Sequence, residues 1–316
     1  MSKIFISGEI PEIGYQLLKD HEIDVYYGEK LITEEELAER IADKDALLCP
    51  LSTPVTRKVI DSAPNLKIIA NFGAGFNNID VQYAKEKNIF VSNTPDVSTD
   101  ATAELSIGLM LAISRRIPEG DQLCRTEGFN GWAPLFFLGR GLSEKTLGII
   151  GFGSIGQAVA RKAKAFGMKI LYTGPRRKDD AIEKELNATF VSFDELIQQS
   201  DYVSVHSPYN KETHHLITLD VIQKMKKDAF LINASRGPVV HEQDLVKALK
   251  EGQIAGAALD VFEFEPKITE ELKTLKNVVL TPHIGNATIE ARDAMAKLAV
   301  KNITNVLSGD NPITPV

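Results

Sequence analysis

The chain has 316 residues, 43% of them apolar and 25% charged, with a net charge of −7. That length is more than one core usually serves, so two domains are expected, and the acidic balance argues against nucleic acid or an anionic membrane as partner. Two cysteines, Cys49 and Cys124, cannot build a disulfide framework, no His/Cys cluster has metal-ligand spacing, and no apolar run is long enough for a membrane span. A cytoplasmic, metal-free enzyme or binding protein is the expectation.

The first hundred residues repeat a short α/β rhythm. The pattern predicts strands at Lys3–Ser7, Ile23–Tyr26, Ala46–Cys49, Lys67–Asn71 and Ile89–Ser92, with helices at Pro11–Asp20, Thr33–Ala42 and about 56–62. Thr33 followed by Glu36 is a capping-box start. Strands alternating with helices predict a parallel doubly wound sheet that binds ligands beyond its strand C-terminal ends. The loops 50–53 and 73–78 fall at those ends. A long helix is predicted over 100–118, apolar at 101, 105, 108, 109, 112 and 113. Residues 120–146 read as irregular, with Gly128, Gly131, Trp132, Pro134 and the pair Phe136-Phe137. A long loop rich in aromatics usually has a task or a cover.

Residues 147–178 carry the most specific pattern. Leu147–Ile150 reads as a buried strand, Gly151, Gly153 and Gly156 open a helix, and Lys169–Tyr172 is the next strand. Only in this strand–turn–helix–strand setting does G-x-G-x-x-G signify dinucleotide binding. One glycine makes the tight turn, one lets backbone approach a pyrophosphate, and one lets helix and strand pack closely. The helix N-terminus offers free N–H groups to the phosphates. Further strands are predicted at 202–206, 229–233, 255–259 and 277–281. A last helix at about 287–308 is expected to pack back on the first unit, giving two domains, 1–99 plus 287–316 and 100–286, with a cleft between them.

Three stretches fall at strand ends of the second unit: Asn233-Ala234-Ser235-Arg236-Gly237, Asp260–Pro266 and Thr281–Gly285. An arginine there can grip a carboxylate with a bidentate fork. A histidine can move the proton that accompanies a hydride, and a glutamate can orient that histidine and favour its imidazolium form. Singly, Arg236, Glu263, Glu265 and His283 read better as surface or loop residues. Together and in this order they describe a redox site.

Along almost its whole length the chain resembles the D-isomer-specific 2-hydroxyacid dehydrogenases. The matching stretches are Asn71–Asp80, Thr94–Arg115, Gly148–Gly156, Asn233–Val239, Ala258–Pro266 and Pro282–Gly285. Gly131-Trp132-x-Pro134-Leu135, Leu171–Gly174 and Pro282–Thr288 look most like the family's glyoxylate/hydroxypyruvate reductases. The resemblance implies a Rossmann-type cofactor domain and a flavodoxin-like substrate domain. It also implies NAD(P)H-dependent reduction of a small 2-oxo acid to the D-2-hydroxy acid. Arg236 then holds the substrate carboxylate and carbonyl, His283 is the acid/base and Glu265 its partner. Leu51, Ser52, Ala74 and Gly75 surround the carboxylate. Ser154 and Ile155 belong to the phosphate turn, while Thr102, Ala234, Asp260 and Gly285 lie on the nicotinamide side. The family is normally dimeric through the 100–118 helix and the loop after it, which is expected to carry Trp132 to the partner's substrate cleft.

Departures narrow the choice. Phosphoglycerate dehydrogenases have a basic residue where Asn71 stands, and loop 71–78 has no Lys or Arg, which disfavours a phosphorylated substrate. Formate dehydrogenases have Gln at the place of Glu265. A bulkier 2-oxo acid is the alternative substrate. The rival of another class is a nucleotide-sensing interaction protein, as among corepressors of this fold, but those carry tails that this chain lacks. An NAD-binding unit usually places an acid about 20 residues past the glycines to hold the ribose 2′-hydroxyl. Gly174 occupies that place and Arg176, Arg177 and Lys178 follow, so NADPH is the expected cofactor, with NADH possible.

Overall fold

In the computed structural model, which describes residues 1–316, twelve strands form two sheets in which every strand pairing is parallel. The chain divides into two compact units, Met1–Ser98 with Asn286–Val316, and Thr99–Gly285.

In the first unit the strands are β1 (Lys3–Ile6), β2 (Glu22–Val25), β3 (Ala46–Pro50), β4 (Ile68–Phe72) and β5 (Phe90–Ser92). Between them run α1 (Glu12–Leu17), α2 (Glu34–Ile41), α3 (Arg57–Asp61) and α4 (Val81–Glu86). The order β2-β1-β3-β4-β5 is that of flavodoxin-like sheets. Thr33, Thr56 and Asp80 cap α2, α3 and α4, each accepting a backbone N–H from the first turn. One face of the sheet packs Phe5, Leu47 and Ile69 under these helices. The other packs Ile4, Ile6, Leu48, Ile68 and Phe72 against Met295, Ala296, Ala299 and Ile303 of the C-terminal helix, Ile289–Leu307. Strands buried on both faces read as continuous apolar runs, as Ala-Leu-Leu-Cys does here.

The second unit opens with α5 (Thr99–Ser114) and α6 (Ile117–Thr126). Its sheet follows: β6 (Thr146–Ile150), β7 (Lys169–Thr173), β8 (Ala188–Phe190), β9 (Tyr202–Val205), β10 (Phe230–Asn233), β11 (Gly256–Leu259) and β12 (Val278–Leu280). Its other helices are α7 (Ser154–Ala165), α8 (Asp180–Leu186), α9 (Phe193–Gln199), α10 (Leu219–Ile222), α11 (Glu242–Lys250) and α12 (Glu270–Thr274). The order β12-β11-β10-β9-β6-β7-β8 reverses direction between β6 and β9, which is where a doubly wound sheet opens a ligand crevice.

Several features differ from the sequence expectation. The strand β8 and the short helix α4 carry no long apolar period, and neither was predicted. The helix predicted over 100–118 ends at Ser114, because Pro118 has no N–H to return to the Ser114 carbonyl. Arg140 N donates to that carbonyl instead, at 2.8 Å. Arg116 takes a left-handed conformation (φ 56°), and α6 starts afresh with its proline in the first turn. Part of the stretch read as irregular is therefore helical.

Candidate functional site

At the crevice of the second unit the three glycines have three separate reasons. Gly151 has φ 92°, and a Cβ there would lie 2.6 Å from Ser207 N and 2.7 Å from His206 C. Gly153, the N-cap of α7, has open space where its Cβ would be, as a backbone approached by a ligand requires. A Cβ on Gly156 would sit 2.3 Å from Gly151 O. Ser154 is exposed and Ile155 half-buried beside these glycines, and the α7 N-terminus has no side-chain cap. Free N–H groups with a positive dipole end suit a pyrophosphate. Gly156→Ala forces the helix off the turn, so dinucleotide affinity should fall at least tenfold while the unfolding midpoint moves far less. Fluorescence titration of the reduced cofactor alongside a thermal melt checks this; unchanged affinity would contradict the packing role.

The loop after β9 backs this turn. His206 N donates to Ile150 O at 2.7 Å, and His206 Nε2 shares a 2.8 Å hydrogen bond with Ser204 Oγ. Burial pushes the His206 pKa down to about 4, so it is neutral near pH 7. Sequence reading passed over this residue.

Three strand ends of the same unit carry Arg236, Glu265 and His283. After β10, Asn233 folds the turn: its Oδ1 accepts from Ser235 N (3.1 Å) and Ser235 Oγ (2.9 Å), and its Nδ2 donates to Arg236 O (3.0 Å). Ala234 is buried in that turn. The half-buried Arg236 donates only to Ser235 O, at 2.7 Å, and has no ion-pair partner, so its fork is free. After β11, Glu265 Oε1 accepts from Phe262 N (2.9 Å) and Oε2 meets His283 Nδ1 at 2.8 Å. That leaves His283 Nε2 free for a reactant.

The turn bearing His283 is held by Asp260. Its Oδ1 accepts from Thr281 Oγ1 (2.6 Å) and Ile284 N (2.8 Å), its Oδ2 from Gly285 N (2.8 Å), and its carbonyl from His283 N (2.9 Å). His283 itself is left-handed, φ 51°, a strained conformation for a residue with a Cβ. Four bonds to one buried aspartate hold it there. This anchoring role was not read from the sequence, which placed Asp260 with the cofactor. Thr102 lies against the same turn: a Cβ on Gly285 would be 3.4 Å from its Cγ2.

The electrostatics follow from burial and pairing. Burial alone would raise the Glu265 pKa, but the hydrogen bond and charge of His283, with Phe262 N–H and Arg236, bring it below its ordinary 4.5. Burial lowers Arg236 from its ordinary value and Glu265 opposes the shift; an arginine stays cationic regardless. Burial raises Asp260 despite its hydrogen bonds.

In the first unit, Asn71 and Asn78 stitch together the two loops that the sequence marks. Asn71 Nδ2 donates to Gly75 O at 2.6 Å, and Asn78 Nδ2 to Thr53 O at 3.0 Å and Asn71 Oδ1 at 3.1 Å. Leu51 packs on Gly73, where a Cβ would meet Leu51 Cγ at 2.7 Å. Asn93 Nδ2 holds Ala74 O at 2.7 Å. Leu51, Ser52, Ala74 and Gly75 are thereby brought to one edge of this unit, with Ser52 and Ala74 exposed.

At the end of β7, Gly174 leaves open space where a side chain would stand. The two arginines beyond it differ. Arg177 is locked onto Glu183 by Nε (3.0 Å) and Nη2 (2.7 Å), whereas Arg176 is exposed and unpaired. Trp132 is 85% exposed and has no ring or hydrogen-bond partner. No group of His, Cys, Asp or Glu side chains has the arrangement of a metal site, and no helix is long and apolar enough to cross a membrane.

The architecture is that of a two-sheet, dinucleotide-binding dehydrogenase. Residues 107–285 match the family model described as the NAD-binding domain of D-isomer-specific 2-hydroxyacid dehydrogenases. A Staphylococcus epidermidis protein provisionally named a 2-hydroxyacid dehydrogenase is 57% identical over 313 residues, covering 99% of this chain and 98% of its own. The solved structure of the TT0316 protein from Thermus thermophilus superposes with a TM-score of 0.94 at 37% identity, covering 99% of each chain. An NADPH-dependent glyoxylate/hydroxypyruvate reductase from Sinorhizobium meliloti, solved with citrate, gives 0.86 at 32% identity, covering 100% of this chain and 98% of its own. The chain belongs to the D-isomer-specific 2-hydroxyacid dehydrogenase family, and is an oxidoreductase of that class.

Proposed function

We propose that the chain reduces a small 2-oxo acid, glyoxylate or hydroxypyruvate, to the D-2-hydroxy acid with NADPH as preferred cofactor. One observation carries the chemistry: a free, half-buried Arg236 on the same sheet edge as a histidine whose Nδ1 is fixed by Glu265 and whose Nε2 is open. The dihydronicotinamide, when bound, supplies the hydride to the carbonyl carbon. Arg236 holds the substrate carboxylate and polarises the carbonyl. His283 gives its proton from Nε2 to the developing alkoxide, and Glu265 keeps the imidazole oriented. Leu51, Ser52, Ala74 and Gly75, which the resemblance assigns to the substrate carboxylate, include short side chains that suit a small acid. The likeness to a glyoxylate/hydroxypyruvate reductase supports the substrate class. Steady-state kinetics over a panel of 2-oxo acids of rising bulk tests it. The highest kcat/KM is expected for the smallest acids; preference for a branched acid, or no turnover at all, would overturn the assignment.

The same reading includes a homodimer. Phe129, Trp132, Leu135 and Leu138 are 60%, 85%, 84% and 61% exposed in a single chain, more apolar surface than a loop leaves to water without a cover. A second copy would cover them and receive Trp132 at its substrate cleft. Trp132→Ala should raise KM for the oxo acid, and Leu135→Asp should yield monomers by sedimentation. A monomeric wild type would overturn the proposal.

A further inference from the structure

Behind the Glu265 loop lies a second set of ionisable side chains that the chemistry above does not use. Glu263 and Glu242 cap each other: Glu242 N donates to Glu263 Oε2 at 3.0 Å, and Glu263 N donates back to Glu242 Oε1. Thr269 Oγ1 donates to the other oxygen of Glu242. The remaining oxygen of Glu263 meets His215 Nε2 at 2.6 Å. Both carboxylates are buried, Glu242 to 2% exposure, and no Lys or Arg pairs with either. His215 is itself wedged between rings, stacked on His214 at 3.8 Å and edge-on to His241 at 4.5 Å, with His241 facing Asp244 at 3.1 Å.

The positions of these residues matter more than their number. Glu263 precedes Glu265 by two residues in the loop after β11. That loop touches the Arg236 turn backbone to backbone, since a Cβ on Gly237 would fall 1.8 Å from Phe262 O. His215 ends the segment that begins with His206 and Ser207 against the glycine turn, and its own N–H donates to Pro238 O at 2.8 Å. Three chain segments, 206–217, 236–242 and 261–269, thus meet at one buried carboxylate. Every oxygen of the two carboxylates has a hydrogen-bond partner, which fixes their geometry, and removing one partner loosens the rest.

We propose that His215 and Glu263 are positioning residues: through the 261–266 loop they hold the Glu265 carboxylate in register with His283 and Arg236. The inference rests on Glu265 and His283 being the acid–base pair proposed above. Steady-state reduction by the full-length protein tests it with His215→Gln and Glu263→Gln, each made also in a Glu265→Gln background. Misplacing a catalytic group by about 1 Å costs up to roughly 10²-fold, so each single variant should lose kcat by about ten- to a hundredfold, with KM and cofactor affinity within about twofold. Because the effect passes through Glu265, the same changes should cost under about twofold where Glu265 is already Gln. Equal losses in both backgrounds, or losses confined to KM or cofactor affinity, would overturn the proposal. If Glu263→Gln does not fold, the half-buried His215→Gln carries the test, and full activity there would also overturn it. A second readout needs no turnover: the NMR chemical shifts of the His283 ring at fixed pH should move in His215→Gln in the same direction as in Glu265→Gln. Unmoved shifts refute the network; moved shifts with no turnover on any 2-oxo acid refute only the substrate assignment.

Discussion

Replacing His283 with alanine should slow reduction by roughly 10²–10⁴-fold, the usual contribution of a positioned general acid. The cofactor should still bind, since the glycine turn and α7 are untouched. Stopped-flow and steady-state rates with bound-cofactor fluorescence check both halves, and near-full activity would remove His283 from the role. The companion Glu265→Gln removes the carboxylate that orients the imidazole through Nδ1, so kcat should fall by about tenfold or more with cofactor affinity unchanged. The pairing also has an acid limit. Glu265 is held below its ordinary 4.5, so its pairing is fully present above that pH and is lost as pH falls through the lowered value. The wild-type profile should therefore show no loss from this group between neutrality and about pH 5. A kcat unmoved by Glu265→Gln would count against the pairing.

The second large effect concerns the cofactor. Gly174 puts no carboxylate at that strand end to repel a 2′-phosphate, and Arg176, two residues on, is exposed and unpaired. A charge-assisted hydrogen bond is worth roughly 1.5–3 kcal/mol, so Arg176→Ala should weaken NADPH by about ten- to a hundredfold and leave NADH nearly unchanged. Arg177→Ala should do less, because its guanidinium is already spent on Glu183, which also accepts from Tyr172 at 2.6 Å. From sequence the two arginines are equivalent; their neighbours separate them. Dissociation constants for both cofactors with wild type and each variant decide the matter. A wild type that prefers NADH, or equal weakening of both cofactors by Arg176→Ala, would refute the preference.

Much of this was legible in the residues, and what was not has physical causes. The buried parallel strands announce themselves as apolar runs, and the glycine turn by spacing in its βαβ setting, so both sheets and the crevice follow from local pattern. The strand β8 is only Ala-Thr-Phe, too short for any period to register. The break at Arg116 follows from Pro118, and the freed Ser114 carbonyl is taken up by a distant N–H, that of Arg140. Arg236, Glu265 and His283 stand out because each follows a strand; Asp260 and Glu263 stand out in the same stretches, but their holding roles do not. Asp260 serves the His283 turn through bonds from 21 to 25 positions away, and Glu263 meets His215 across 48. Such pairings are set by sheet order, which no short window of sequence contains. Asn71 marked only the absence of a base; its amide in fact builds the loop beside it.

The first unit is made of two pieces of chain, with the second unit threaded whole between them. As the polypeptide leaves the ribosome, β1 to β5 emerge first but lack the helix that covers one face of their sheet, leaving Ile4, Ile68 and Phe72 without their lid. The second unit then emerges as one continuous stretch with every strand of its own sheet, and can close before synthesis ends. The first-born half thus finishes last, waiting on the order of ten seconds or more for Met295, Ala299 and Ile303 to arrive. During that interval its half-covered sheet face, with Ile10, Ile13 and Leu18 of the first helical segment over only part of it, is the surface that a chaperone would have to guard.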